Sequence, residues 1–346
     1  MNQSSRPSKW SKLPKVELHR HLDCSIRPST LRELLTAAGV TVPADPKIFA
    51  TEYLVKEPMN DLGAVLKKFL AAQKALSSEE VLTRVTIECI EDAVAEGIRI
   101  MELRYAPTFI QDGHEHLSFE KIHRAIVKGV QACRHLPIAV GLIAIVQRIK
   151  PVSVGASVID FAIEHKDTFV AVDLADNEDG FDPEPFAPLF QKARAQGLHV
   201  TIHAGEAPIP TAAHNVRTAI ERLGAERIGH GLQIANGAQG IQDAEAILAQ
   251  VVREGITLEL CPTSNLLTNA VRSIGDHPFQ ALRAAGVPVT VNTDDPGVFD
   301  YDLTHEYDAL HAAFGYGEKD FIEFAETAAR ASFIPLAERQ RVWPGL

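Results

Sequence analysis

From about residue 80 onward the chain repeats one pattern of apolar and polar positions. An amphipathic stretch ends in a glycine, a short apolar run rich in β-branched residues follows, and a polar cluster closes the unit. Gly97 precedes Ile98 to Tyr105 (IRIMELRY), Gly197 precedes LHVTIHAGE, Gly224 leads to RIGHG, Gly255 to ITLELCPTSN and Gly286 to VPVTVNTDDP. A glycine there suits the residue just past a helix, where a left-handed backbone ends it. The run behind it suits a strand buried on both faces of a parallel sheet. Val16 to Leu22, Ala139 to Gln147 and Phe169 to Ala175 bring the candidate strands to eight. Between them lie segments such as Ser78 to Glu96, where Leu82, Val85, Cys89 and Ala93 recur three or four apart and Ser78 and Glu79 are placed to cap a helix.

This repetition predicts an α/β fold, most naturally a (β/α)8 TIM-type barrel, although a doubly wound open sheet has the same local pattern. About 75 residues separate the first strand from the second, far more than one crossover takes. Extra helices are therefore expected between strands 1 and 2, over residues 29–97. In a barrel they follow the C-terminal end of the first strand and serve either as a lid over the site or as a peripheral insertion. With no linker or low-complexity segment, residues 1–346 are expected to form a single domain.

Hydrophobic residues make up 46% and charged residues 23%, the balance of an ordinary globular chain rather than a disordered or fibrous one. The formal net charge of −11 comes without a basic patch, which argues against a nucleic acid partner. The polar start, Met1 to Trp10, is not followed by a signal-peptide core or a membrane span, so a cytoplasmic protein without a membrane partner is expected. Cys24, Cys89, Cys133 and Cys261 form no CxxC pair, which points away from a disulfide framework or thiolate zinc site and toward reduced thiols. Oligomeric state is not legible.

Ionisable residues gather at the C-terminal ends of the strands, where parallel barrels and sheets place their sites. The first strand ends in His19-Arg20-His21-Leu22-Asp23, and a spacing of two points both imidazoles at one locus. The fifth ends in His203-Ala204-Gly205-Glu206, the sixth in Gly229-His230-Gly231 and the eighth in Asn292-Thr293-Asp294-Asp295-Pro296. Histidines and acids from several strand ends suit a metal with an open position for water, with a neighbour to handle protons. His19, His21, His203 and one aspartate are the candidate shell. Asp294 and Asp295 cannot both point the same way, so one can bind metal and the other substrate; a helix N-cap is the alternative use of Asp-Asp-Pro. His230, between two glycines, is expected to have little packing around it.

Taken in order, HRHLD, HAGE, GHG, CPTSN and NTDDP, with MELRYAP at the second strand and SFI near Phe333, resemble the adenosine deaminase family over almost the whole chain. The resemblance implies a (β/α)8 barrel with one zinc ion (Zn2+) per chain, held by His19, His21, His203 and Asp294. It implies that Glu206 protonates purine N1 and that His230 orients and deprotonates the catalytic water. His21, Asp23, Asp176 and Asp295 would meet substrate, Asp23 through a ribose hydroxyl and Asp295 as acceptor for N7. The expected reaction is hydrolytic deamination of adenosine or 2'-deoxyadenosine to inosine and ammonia. A modified adenine nucleoside or free adenine is the alternative, and another metal-dependent amidohydrolase activity a remoter one. A binding protein without catalysis ranks last, because every ligand and proton-transfer position is present. Two positions depart from the family pattern. Cys24 stands where the family has Gly, and Asp176-Asn177-Glu178 replaces Gly-Asp-Glu, bringing a carboxylate where the family's Gly offers purine N3 its backbone N–H.

Overall fold

All five punctuating glycines, Gly97, Gly197, Gly224, Gly255 and Gly286, take positive φ. At Gly255, for example, φ is +66° and the N–H returns to the last turn of the preceding helix, so the chain leaves that helix straight into a strand. A computed structural model describes residues 8–59, 62–235, 240, 241 and 243–346, with the side chains of 62–66 outside the description. Its strands are β1 (Lys15–His21), β2 (Ile98–Tyr105), β3 (Ala139–Gln147), β4 (Phe169–Ala175), β5 (His199–Ala204), β6 (Arg227–His230), β7 (Thr257–Leu260) and β8 (Val289–Val291). They lie in the order β1 to β8, every neighbouring pair parallel.

That sequential order is a barrel's and excludes the doubly wound alternative, whose strand order reverses at a switch point. The sheet closes on itself through a bridge at Arg20 and Asp294: the N–H of His21 donates to Asp294 O and the N–H of Asp294 donates to His19 O, both at 2.9 Å. The Asn292 side chain adds to the seam by accepting the N–H of Leu18. Outside it, the helix Glu318–Ala331 packs against both β1 and β8.

The strands alternate as the pleat requires. In β4, Val172 and Leu174 join the apolar layer under the outer helices, whereas Asp173 points into the barrel toward Arg104 of β2. Between β1 and β2 lie α1 (Pro28–Ala37), α2 (Pro46–Tyr53), α3 (Leu62–Ala75) and α4 (Glu79–Ala95). Only the first three are extra. The last, α4, is the barrel's own crossover helix, capped by Ser78 and burying Leu82, Val85, Cys89 and Ala93. The four cysteines are free and buried. Among the described residues no helix is long and apolar enough to cross a membrane.

Candidate active site

His19 and His21 share a face of β1, and each places Nε2 3.2 Å from Asp294 Oδ1. His203, at the end of β5, brings its Nε2 to 3.2 Å from that of His21. Two buried carboxylates behind them settle which nitrogen carries the proton. His19 Nδ1 lies 2.8 Å from Glu259 and His203 Nδ1 2.9 Å from Asp173. An imidazole donating from Nδ1 presents a lone pair at Nε2. Burial pushes both rings down in pKa, His203 well below its ordinary range, which keeps them neutral.

Lone pairs of His19 and His203 therefore converge with the Asp294 carboxylate on one point. Acceptors cannot bond to each other, and His19 Nε2 is buried without a hydrogen-bond partner. A cation resolves that frustration, and three imidazole nitrogens with one carboxylate are donor chemistry of the zinc type. These residues fit a metal.

The carboxylates behind the histidines are themselves held. Arg104 donates to Asp173 at 2.7 Å and to Glu259 at 2.6 Å, while Arg227 and Thr201 donate to the other Glu259 oxygen at 2.6 and 2.9 Å. Burial alone would raise Glu259, but the two guanidinium groups overcome it and hold the carboxyl well below its usual range.

A cavity of about 390 Å³ opens over this cluster. His21, His203, Asp294, Glu206, His230, Asp23, Asp176 and Asp295 all line it, with Phe69 of α3 on its wall, while His19 lies behind, fully buried. All the expected site residues are thus brought together. Pairing of β5 with β6 sets Ala204 beside His230, and β6 can pass close to His19 only as glycine, since a Cβ at Gly229 would meet the His19 ring at 2.9 Å.

Several particulars differ from expectation. His230 is buried, not loosely surrounded: its ring centre lies 4.9 Å from that of His19 and 5.3 Å from that of His203. Its Nε2 is 3.6 Å from Glu206 and 3.8 Å from Asp294. Asp23, expected two residues beyond His21 on the same face of β1, instead lies in the 3-10 turn Leu22–Cys24, which still leaves it on the cavity wall, where it accepts the N–H of Ala106 at 3.0 Å. Asp295 stands at the N-cap of Pro296–Phe299 without a side-chain capping bond and lines the cavity together with Cys24. Burial and the charge of Asp294 push Asp295 well above the ordinary carboxyl range. A carboxyl in its protonated form can donate a hydrogen bond, whereas the role expected of Asp295 at N7 was that of an acceptor.

Asp176, His230 and Asp294 have φ of +85°, +64° and +64°. A left-handed backbone at a residue other than glycine costs on the order of 1–3 kcal/mol and collects at functional sites. Asp176 carries its side chain into the cavity wall, where Gln147 donates to it at 2.9 Å. Glu178 accepts the backbone N–H groups of Gly205, Glu206 and Ala207 at 2.7, 3.1 and 3.2 Å, and so shapes the loop that carries Glu206. Asp173, Glu259, Arg104, Ser264, which donates to Asp294 Oδ2 at 2.7 Å, and Asn265, whose Nδ2 lies 3.1 Å from His230 Nδ1, were not anticipated. The signal for the first three was a charged residue inside an apolar strand run, as in FVAVDLA, TLEL and IMELRY.

A barrel whose strand ends converge histidines and acids on one cavity is the frame of a metal-dependent hydrolase. The family model of adenosine deaminase matches residues 14–345, and the chain belongs to the adenosine deaminase family, hydrolases acting on C–N bonds. Adenosine deaminase from Shigella flexneri serotype 5b (strain 8401) is 33% identical over 332 residues, which are 95% of this chain and 96% of the relative. Among solved structures, adenine deaminase from Arthrobacter aurescens superposes with a TM-score of 0.83 at 25% identity, covering 95% of this chain and 96% of that one. The N6-methyl-AMP deaminase from Arabidopsis thaliana gives 0.80 at 28% identity, covering 96% and 95%.

Proposed function

We propose that the chain deaminates adenosine or 2'-deoxyadenosine to the inosine product and ammonia, with one zinc held by His19, His21, His203 and Asp294. One observation carries the reading: imidazole lone pairs and a carboxylate meet at 3.2 Å directly beside Glu206 and Asp295, two carboxyls able to carry protons. When bound, the metal supplies a Lewis acid that makes water nucleophilic near neutral pH.

The side chains do the rest. Protonated Asp295 donates to N7, whose lone pair requires a donor. Glu206 gives a proton to N1 as attack at C6 drives electrons there. Thr268 and Asn265 occupy its Oε1 at 2.9 and 3.3 Å, so Oε2 is the oxygen left for substrate. The C6–N bond then breaks and ammonia leaves.

A substrate without phosphate is favoured because the described lining residues include no Lys or Arg to answer one. Free adenine is the second reading, supported by the likeness to a protein named adenine deaminase and by the Asp176 carboxylate, which alters the wall where the family has Gly.

Ammonia release from adenosine, 2'-deoxyadenosine, adenine and their N6-methyl forms, followed beside metal analysis, tests the proposal. About one zinc per chain, activity lost to a chelator and a preference for the nucleosides are expected. Ammonia from none of them, or full activity in chelator, overturns it. Glu206→Gln, which keeps shape but gives up the acid proton, is expected to lower kcat by about 10²-fold with zinc retained.

A further inference from the structure

Behind His230 lie two buried polar residues, His277, to which the mechanism gives no task, and Asn265, which enters it only as a donor to Glu206. Asn265 is fully buried on the helix Pro262–Leu267. Its Nδ2 lies 3.1 Å from His230 Nδ1 and 3.3 Å from Glu206 Oε1, and its Oδ1 lies 3.1 Å from His277 Nε2. His277, itself buried, ends the chain of contacts: the backbone N–H of Phe279 donates to His277 Nδ1 across 3.1 Å.

That last bond sets the direction of all the others. A backbone N–H can only donate, so His277 Nδ1 accepts and a neutral ring carries its proton on Nε2. Burial, followed by the nearness of His230, pushes the His277 pKa down to about 3 and keeps the ring neutral. Its Nε2–H needs an acceptor, which fixes Asn265 Oδ1 on that side and turns Nδ2 to the other. The two hydrogens of Nδ2 meet two acceptors, Glu206 Oε1 and His230 Nδ1. A ring whose Nδ1 accepts carries its proton on Nε2, here the atom facing Glu206 Oε2 and Asp294 Oδ2.

We propose that His277 and Asn265 are positioning residues that hold His230 as an Nε2–H donor toward the cavity. The lone pair that a base would need sits on Nδ1, turned away from the cavity and occupied by Asn265. What His230 acts upon rests on the deaminase reading; how its ring is held does not.

The tautomer is directly readable from side-chain 15N long-range correlation spectra of the full-length protein as purified with its metal, with the His230 signals assigned by their loss in a His230 variant. A pyridine-type Nδ1 and a pyrrole-type Nε2 are expected. His277→Leu removes the donor that pins the Asn265 amide. It is expected to give mixed His230 tautomers and a kcat lower by about tenfold, with KM within about twofold and metal content unchanged. His277→Gln restores an N–H donor and is expected to recover most of that loss. A wild-type His230 protonated on Nδ1, or a Leu variant with spectrum and kcat unchanged, overturns the proposal. Should the Leu variant fail to fold, the wild-type spectrum decides by itself. That spectrum needs no substrate, so inactivity on every purine beside the expected tautomer would fault the deaminase reading and leave this one standing.

Discussion

Asp23 has two claims on its carboxylate. One oxygen accepts the N–H of Ala106 at 3.0 Å, and the residue also lines the cavity. A carboxylate there can accept a charge-assisted hydrogen bond from a sugar hydroxyl, and losing such a bond costs about 1.5–3 kcal/mol, roughly 10- to 100-fold in kcat/KM. Asp23→Ala is therefore expected to reduce nucleoside turnover by that factor and to spare free adenine, with a lower Tm because Ala106 loses its acceptor. Equal losses on nucleoside and base would show that Asp23 serves the backbone alone. Glu259 makes a different demand, since it holds His19 by one oxygen and anchors Arg104 and Arg227. Glu259→Gln leaves two buried guanidinium groups short of charge and gives His19 a weaker acceptor. Metal affinity, measured by chelator competition, is expected to fall about 10- to 100-fold; unchanged affinity would release Glu259 from that role.

Among the elements, β2, β3 and β4 occupy the same residues that hydrophobic runs predict, because a mainly apolar run bounded by a glycine or a loop is long enough to mark both strand ends. The later strands are shorter than their runs. β7 stops at Leu260 because Pro262 opens a helix, and β8 keeps only Val289–Val291 before the chain turns to present Asp294 and Asp295. The clustered site residues were legible because strand ends carry them. The cage of Arg104, Asp173 and Glu259 was not, since its partners meet only once the sheet closes. The helix Leu303–Phe314 holds another such residue, Glu306, fully buried and accepting the N–H of Thr263 at 3.0 Å. Burial pushes its carboxyl up to about 8, so the fold favours the protonated form. Its contribution is intact below the ordinary value of 4.5 and is lost as pH rises through about 8. Glu306→Gln removes that loss, so thermal melts from about pH 5 to about pH 9 should show the variant gaining steadily on the wild type. A constant difference would mean that Glu306 does not titrate within the fold.

On the scale of the whole molecule, the barrel is sealed where β1 meets the end of β8. We propose that residues 1–346 form one domain, since that seal ties the start of the barrel to its end. Far-UV circular dichroism and tryptophan fluorescence are then expected to report a single coincident unfolding transition, and two separated transitions would refute it. The seam has a further consequence for biosynthesis. The proposed metal ligands leave the ribosome in the order His19, His21, His203 and finally Asp294, and the backbone of Asp294 is also what grips β1. A nascent chain that has not reached Asp294 owns the imidazoles but neither the carboxylate nor the closed sheet that aims them. Tight metal uptake is thereby deferred until synthesis has passed β8, and a chain stalled before that point offers its histidines, unguarded, to any soft metal within reach.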